Sequence, residues 1–330
     1  MPSTRMEWEG RLGRRLRLRE LHMLSTVVRC GSMAKAAREL AMSQPAVSEA
    51  IANLEDTFRV PLLDRSPHGV EPTIYADALL KRSVAVFDEL TQSVRDIEFL
   101  ADPTVGRLTI GAPESIAATV LPRIVEQFSQ LHPRIVLHIE DVDSPAIRAP
   151  GLRDRRHDLI MARWHPVDIP VDDLNIEGLF DDPFVVAAGA HTPWARRRKV
   201  ELAELAQEPW ILSPPRTWNY EWIAREFKAR GLGVPNATIV TVNAHLNSYF
   251  LKNRPFLTVR PRSWVLQNGL SVVPVNVPLQ PMPVAIVTLK NRTLSPIVER
   301  FAECAREVAK LIVRSSHAQS GRRLRLGARR

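Results

Sequence analysis

The sequence predicts an α+β winged helix-turn-helix with a long linker helix at the N-terminus, followed by an α/β region of two subdomains. Three observations predict it. Short apolar-periodic segments joined by tight turns fill residues 18–55 and lead into a strand–turn–strand pattern. Residues 73–100 keep helical periodicity and contain neither Gly nor Pro. Beyond residue 106, strand-like and helix-like segments alternate. A chain of 330 residues also exceeds what one compact core organises, so two or three domains are expected.

Residues 1–17 are polar, Arg-rich and aperiodic, and read as a flexible lead-in. A winged domain is expected over 18–75. Its first helix spans 18–28, where Leu18, Leu21, Leu24, Val27 and Val28 recur at helical spacing. Gly31-Ser32 ends that helix, and the Ser32 hydroxyl suits the N-cap of the next, over 33–40. Ala41-Met42 makes a turn and Ser43 opens a third helix. Pro45 falls in its first turn, where a missing N–H costs nothing. Val47, Ile51 and Leu54 give this helix a single apolar stripe. Residues 60–65 read as a strand, 66–69 as a turn and 70–72 as the return strand, which together make a wing.

A linker helix follows over 76–102. Leu80, Val84, Phe87, Leu90, Val94 and Ile97 step by three and four, a stripe suited to pairing with a second copy of itself. After a linker around Asp102-Pro103, one subdomain is expected from 107–178 and 281–314, and the other from 179–280. Strands are expected at 107–111, 135–139, 159–162, 184–188, 239–242 and 284–289, in a largely parallel sheet. Helices are expected at 117–131, 202–205, 218–230, 244–252 and 296–313. The basic tail, 315–330, is poor in apolar residues and is expected to be disordered.

Bulk composition narrows the function. Cys30 and Cys304 lie far apart, which excludes a disulfide framework and a Cys-rich zinc site and suits a reducing compartment. No apolar segment follows the Arg-rich N-terminus as in a secretory signal, and none approaches the roughly 20 residues of a membrane span. A cytoplasmic protein with no membrane partner is expected. The net charge is +9, yet the first 102 residues hold 14 basic against 15 acidic residues. Much of the excess sits in Arg314, Arg322, Arg323, Arg325, Arg329 and Arg330, where no acidic residue follows Glu307. Charge alone is therefore weak evidence for nucleic acid, and the weight falls on the motif.

The informative stretch is 32–55. Ala36 and Ala37 are small enough to let the second and third helices approach closely, and Leu40 and Val47 pin their crossing. Ser43, Gln44, Pro45 and Ser48 occupy the start and exposed side of the third helix, the part that enters a major groove. A Gln amide presents a donor and an acceptor to an adenine edge, and Ser hydroxyls serve bases or phosphates.

The stretch SMAKAARELAMSQPAVSEAIANLE followed by PLLDRSPHGVEPT resembles the winged helix of the LysR-type transcriptional regulators almost position for position. The resemblance is specific over about the first 75 residues, and the α/β order behind them agrees. It implies a regulator that binds double-stranded promoter DNA, a dimerising linker helix and a periplasmic-binding-protein-like effector domain for a small molecule. It also implies assembly as dimers or tetramers. Ala34, Ser43, Gln44, Pro45, Ser48 and Arg65 fall at positions that, by this resemblance, contact DNA or shape the contacting surface. The chain departs from the family pattern at Glu49, often basic or polar there, at Pro72, usually apolar, and at Ala76, usually Gly.

In the C-terminal part, Ser115 follows a strand and opens a helix, so its hydroxyl and the helix amides suit a polar or anionic ligand or simply the cap of that helix. The resemblance places Ser115 across a cleft from the loop holding Ser213 and Thr217. Arg163 and Asn243, each just past an expected strand, and Arg260 in the stretch Thr258-Val-Arg-Pro are candidates for the same cleft, against a reading in which the arginines form ordinary ion pairs. An Arg fork favours a carboxylate or phosphate, and Asn and Ser would serve a sugar. This part is most similar to the sugar-responsive branch of the family.

Two other classes compete: an enzyme, and a small-molecule-binding protein without a DNA role. No nucleophile elbow, zinc-protease helix or phosphate loop is present, His132, His138 and His157 form no ligand pair, and Gly numbers only 14. Neither a cofactor nor a metal is expected. A periplasmic binding protein would have no use for a helix-turn-helix.

Overall fold

A computed structural model describes residues 15–66, 69–142, 150–164, 171–278 and 282–327, with side chains to residue 314. The lead-in at 1–14, the wing tip at 67 and 68, the expected boundary at 281 and the tail end at 328–330 lie outside the described residues. The chain divides into two compact units, one up to Thr91 and one from Gln92.

The first unit carries α1 (Leu18–Cys30), α2 (Met33–Glu39), α3 (Gln44–Phe58), β1 (Leu63–Ser66), β2 (Gly69–Pro72) and most of α4 (Ile74–Ala101). Its turns follow from local chemistry. Gly31 ends α1 in the left-handed region at φ 61°. Ser32 and Ser43 cap α2 and α3, each hydroxyl accepting an amide, from Lys35 and Ala46 respectively, at 3.4 Å. Leu21, Leu24 and Val27 of α1, Ala36 and Ala37 of α2, and Val47, Ile51 and Leu54 of α3 close one apolar core. Ala76, where the family pattern has Gly, is fully buried in it.

The wing is fastened from below. Glu55 on α3 accepts the Leu62 amide at 2.8 Å and the Leu63 amide at 3.3 Å. β1 and β2 pair antiparallel, with Pro72 opposite Leu63 and Gly69 opposite Ser66. The strand expected over 60–65 thus starts at Leu63. Thr73 then turns the chain into α4, donating to the Pro61 carbonyl at 2.8 Å and accepting the Ala76 amide at 3.3 Å.

The second unit begins in the last turns of α4. It continues through β3 (Gly106–Ala112), α5 (Glu114–Ala117), α6 (Leu121–Leu131), β4 (Ile135–Asp141), α7 (Pro150–Arg153), β5 (Leu159–Arg163) and β6 (Leu174–Asp181). Then come β7 (Phe184–Ala188), β8 (Trp210–Leu212), α8 (Trp218–Lys228), β9 (Ala237–Val240), α9 (Ala244–Asn253), β10 (Leu257–Pro261), α10 (Arg262–Gln267) and β11 (Ser271–Val272). β12 (Pro283–Leu289) and α11 (Pro296–Gly327) complete it. Among the described residues the strands form two five-stranded sheets, ordered β4-β3-β5-β12-β6 and β11-β7-β10-β8-β9.

Each sheet anchors a lobe. In the first, Leu108, Ile110 and Met161 pack under Phe128 of α6 and Phe301 of α11, whose rings meet edge-on at 5.4 Å. In the second, Trp210, Trp222 and Phe227 are fully buried. Trp218 stacks on Trp222 with ring centroids 6.1 Å apart.

Several expectations change. The sheets are mixed, because β12 returns antiparallel between β5 and β6, and β10 lies antiparallel to β7. The helix expected over 117–131 is two helices, and Pro122 starts the second. Residues 202–205 make one 3₁₀ turn. Strands β6, β8, β10 and β11 add to those the sequence pattern marks. β6 extends the first sheet to Asp181, past the expected boundary at 178, so the lobes exchange the chain at Asp182-Pro183. α11 continues to Gly327, through most of the span expected to be disordered. That span contains no Pro, and Ala318, Gln319, Leu324, Leu326 and its Arg residues suit a helix, against Gly321 and Gly327.

Candidate nucleic-acid interface and effector cleft

In the first unit, burying Val47, Ile51 and Leu54 turns the opposite side of α3 outward. Ser43, Gln44 and Pro45 are exposed at its first turn and Ser48 is half-exposed one turn on. Ala34 is exposed on α2 and Arg65 on β1. The side chains of Gln44, Ser48 and Arg65 make no hydrogen bond among the described residues, so their polar groups remain open to an outside partner. Ser43 is partly committed, since its oxygen caps the helix. Pro45 leaves the helix start without an amide, and the remaining first-turn amides present partial positive charge.

Sequence reasoning passes over Lys35 and Arg38, both exposed on α2; Arg38 Nε donates to the Ala34 carbonyl at 3.4 Å. Arg29 is engaged instead. Its guanidinium grips Glu39 at both carboxylate oxygens, and that bond holds the Glu39 carboxyl below the usual range.

In the second unit the six candidate effector residues sit at or after strand ends. Ser115 follows β3, Arg163 ends β5, Ser213 follows β8, Asn243 follows β9 and Arg260 is the penultimate residue of β10; Thr217 immediately precedes α8, its side chain making no cap bond. Ligands in open α/β sheets sit outside the carboxyl ends of the strands. Their side chains are occupied very differently.

Arg163 is committed to the chain itself, the ion-pair alternative of the two weighed for it. It is only 5% exposed, pairs with the buried Asp182, and donates to the Ser115 carbonyl at 2.8 Å and to Thr119 Oγ1 at 3.3 Å. Asp182 also accepts from Ser263, its amide at 2.9 Å and its hydroxyl at 2.6 Å. Burial pulls the Arg163 guanidinium below its ordinary value, and the Asp182 charge opposes that pull. This residue locks the junction between the lobes, because a buried cation needs its counter-ion.

Three more are engaged locally. Ser213 Oγ accepts from the Asn219 side chain (Nδ2) at 2.6 Å, Thr217 donates to the Pro214 carbonyl at 2.6 Å, and Asn243 caps α9 by accepting the Leu246 backbone amide at 2.9 Å. Ser115 is different. It is half-buried, and its hydroxyl has no hydrogen-bond partner among the described residues.

Arg260 is also distinct. It is 5% exposed, donates to the Val242 carbonyl at 2.5 Å and lies over the Trp264 ring at 5.4 Å from the centroid. Among the described residues no carboxylate comes within ion-pair distance. Burial lowers its guanidinium to about 10, with the Glu114 charge opposing and the Arg163 charge assisting. It still carries its charge at neutral pH. Glu114, Asp182 and Ser263 complete the surroundings of these side chains, and no local motif in the sequence marks them.

Residues 18–77 match the family described as bacterial regulatory helix-turn-helix protein, lysR family, and residues 101–310 match the LysR substrate binding domain. The HTH-type transcriptional regulator TdcA of Escherichia coli is 28% identical over 291 residues, covering 87% of this chain and 91% of that protein. The RuBisCO operon transcriptional regulator of Allochromatium vinosum is 30% identical over 229 residues, 68% of this chain and 73% of that protein. A full-length OxyR variant from Pseudomonas aeruginosa superposes with a TM-score of 0.58 at 21% identity, covering 90% of this chain and 95% of its own. CbnR, a LysR family transcriptional regulator, superposes with a TM-score of 0.56 at 20% identity, covering 89% and 99%.

Proposed function

The chain belongs to the LysR family of transcriptional regulators, and on that membership we propose that α3 reads promoter DNA through Gln44 and Ser48 while the second unit's cleft takes a small polar effector through Ser115 and Arg260. The family supplies the coarse roles: a helix-turn-helix that binds DNA and a domain that binds an effector. Enzymatic activity is no part of that assignment.

The observation that carries the DNA reading is the open, exposed Gln44 amide at the head of a helix whose opposite side is buried. A Gln side chain in the major groove pairs bidentately with an adenine edge. Arg65 on the wing, with Ala34, Ser43 and Pro45 shaping the surface, is suited to the sugar-phosphate walls. Titrating salt in a promoter-binding assay tests it. Affinity should fall steeply, log K against log salt sloping by about −0.9 per phosphate neutralised. No measurable affinity for any duplex overturns the reading.

For the effector, the free Ser115 hydroxyl and the Arg260 guanidinium favour a ligand bearing a carboxylate over a sugar. Ser213, Thr217 and Asn243 spend their side chains on the chain itself, which weakens the sugar reading. Self-association follows from α4. Val84, Leu90, Val94 and Ile97 are exposed along one helix, and a second copy would bury them. Sedimentation equilibrium gives the assembly, dimer or tetramer. The described residues contain no helix long and apolar enough to cross a membrane.

A further inference from the structure

Glu114 opens α5 on the first sheet, yet its carboxylate serves the second. Its Oε1 accepts the amide of Ala244 at 2.7 Å, across 130 residues of sequence. Ala244 is the first residue of α9, a helix of ten residues, so this oxygen sits at the positive end of the helix. Asn243 already satisfies the Leu246 amide of the same turn.

A cation, Arg260, bears on the same carboxylate. Arg260 donates to the carbonyl of Val242, two residues before Ala244, and Glu114 is the anion that opposes its loss of charge on burial. A helix N-terminus beside a buried guanidinium is how proteins hold a free carboxylate. Here the carboxylate belongs to the chain.

We propose that Glu114 is a built-in stand-in for a carboxylate effector, filling the anion position at the head of α9 beside Arg260 until a ligand carboxylate replaces it. The inference rests on reading this cleft as the effector site. Charge accounting supports exchange rather than addition. Arg163 is matched by Asp182, and Arg260 is met by Glu114 through space. A ligand carboxylate arriving with Glu114 in place would set two anions against one uncommitted cation. Replacement leaves the balance unchanged. It also breaks the Glu114–Ala244 bond, which joins an element of one lobe to an element of the other, so ligand binding and the link between the lobes are one event. Glu114 thereby selects for ligands that present a carboxylate of their own.

The test is chemical rescue of the full-length protein with sodium acetate, at an ionic strength held constant with sodium chloride. Glu114→Ala should lower Tm, and acetate should raise it again along a saturating curve while leaving the wild type where chloride leaves it. Adding Arg260→Met to Glu114→Ala should abolish the rescue. Glu114→Gln, which keeps an acceptor for Ala244 but no charge, guards against a Glu114→Ala protein that does not fold; acetate should protect it more than the wild type. Equal acetate responses in wild type and both single variants overturn the proposal, as does rescue that survives loss of Arg260. The two readings fail separately. Rescue without any effect of carboxylates on promoter binding sinks the effector role alone, and carboxylate-responsive promoter binding without rescue sinks the stand-in alone.

Discussion

A β-carbon on Gly69 would stand 2.8 Å from the carbonyl oxygen of Gly31, the oxygen that accepts the Val70 amide at 3.0 Å. The wing is therefore tied to the turn between α1 and α2 by a close backbone approach that only glycine permits. Gly69 also has φ +139°, outside the range of L side chains. Gly69→Ala should cost about 1–3 kcal/mol and loosen the wing. Calorimetry of the first unit's transition and promoter affinity should both fall. Gly31 itself has φ 61° and open space at its β-carbon, so Gly31→Asn should cost far less.

Gln44→Ala and Ser48→Ala remove open polar groups without touching the core, so thermal stability should stay within about 0.5 kcal/mol. Discrimination between promoter and unrelated DNA should drop by about 1–3 kcal/mol at each position. Competition gel-shift assays measure this, and wild-type discrimination in both variants removes α3 as the reading helix.

The first unit is the most legible part of the sequence, because its determinants are local. Ser32, Gly31, Ser43 and Pro45 act within a few residues of where they stand, and one apolar stripe per helix fixes which side is buried. The second unit is legible as alternating α/β but not in its shorter strands. β8 has three residues, β6 carries Gly178 and sparse burial, and β10 hides Arg260 and Pro261 inside a buried run. The cleft is half legible. The end of the strand expected at 107–111 points to Ser115 and the stretch Thr258-Val-Arg-Pro to Arg260, whereas Asp182 acts on Ser263 and Glu114 on Ala244 across 81 and 130 residues. No spacing rule reaches that far.

Asp182→Asn would leave the Arg163 guanidinium buried without a counter-ion. The loss expected is about 3–5 kcal/mol of stability. Arg163→Met combined with Asp182→Asn should be more stable than Asp182→Asn alone, because the stranded charge is gone. Urea denaturation of the four proteins in the cycle checks this, and strict additivity would deny the pairing.

Ser115→Ala should leave stability near that of wild type, since the hydroxyl has no partner among the described residues. Thermal shift against a panel of carboxylates and sugars should show a smaller ligand-induced rise in the variant. Identical shifts for every stabilising ligand would discard Ser115 from the site.

His132 ends α6 with its ring 4.8 Å from that of Phe128. Burial lowers its imidazole from the ordinary value, and the charge of Arg300 adds to the effect. The unfolded chain therefore takes up this proton first as pH falls below about 6.5. Its contribution to stability is present above that value and is lost as pH drops through the lowered folded value. Urea midpoints should show the gap between wild type and His132→Gln narrowing from about pH 7.5 to about pH 5. A constant gap would contradict it.

The position of β12 has a consequence for synthesis. It lies between β5 and β6, yet it leaves the ribosome about 120 residues after β5. At about 5–20 residues per second, the nascent chain carries those two strands unjoined for on the order of ten seconds, while the other lobe is being made. An open strand edge is a template for wrong pairing. Newly made chains should therefore depend on chaperones until Pro283–Leu289 emerges, and a ribosome halted before that point should hold a protease-sensitive N-terminal lobe.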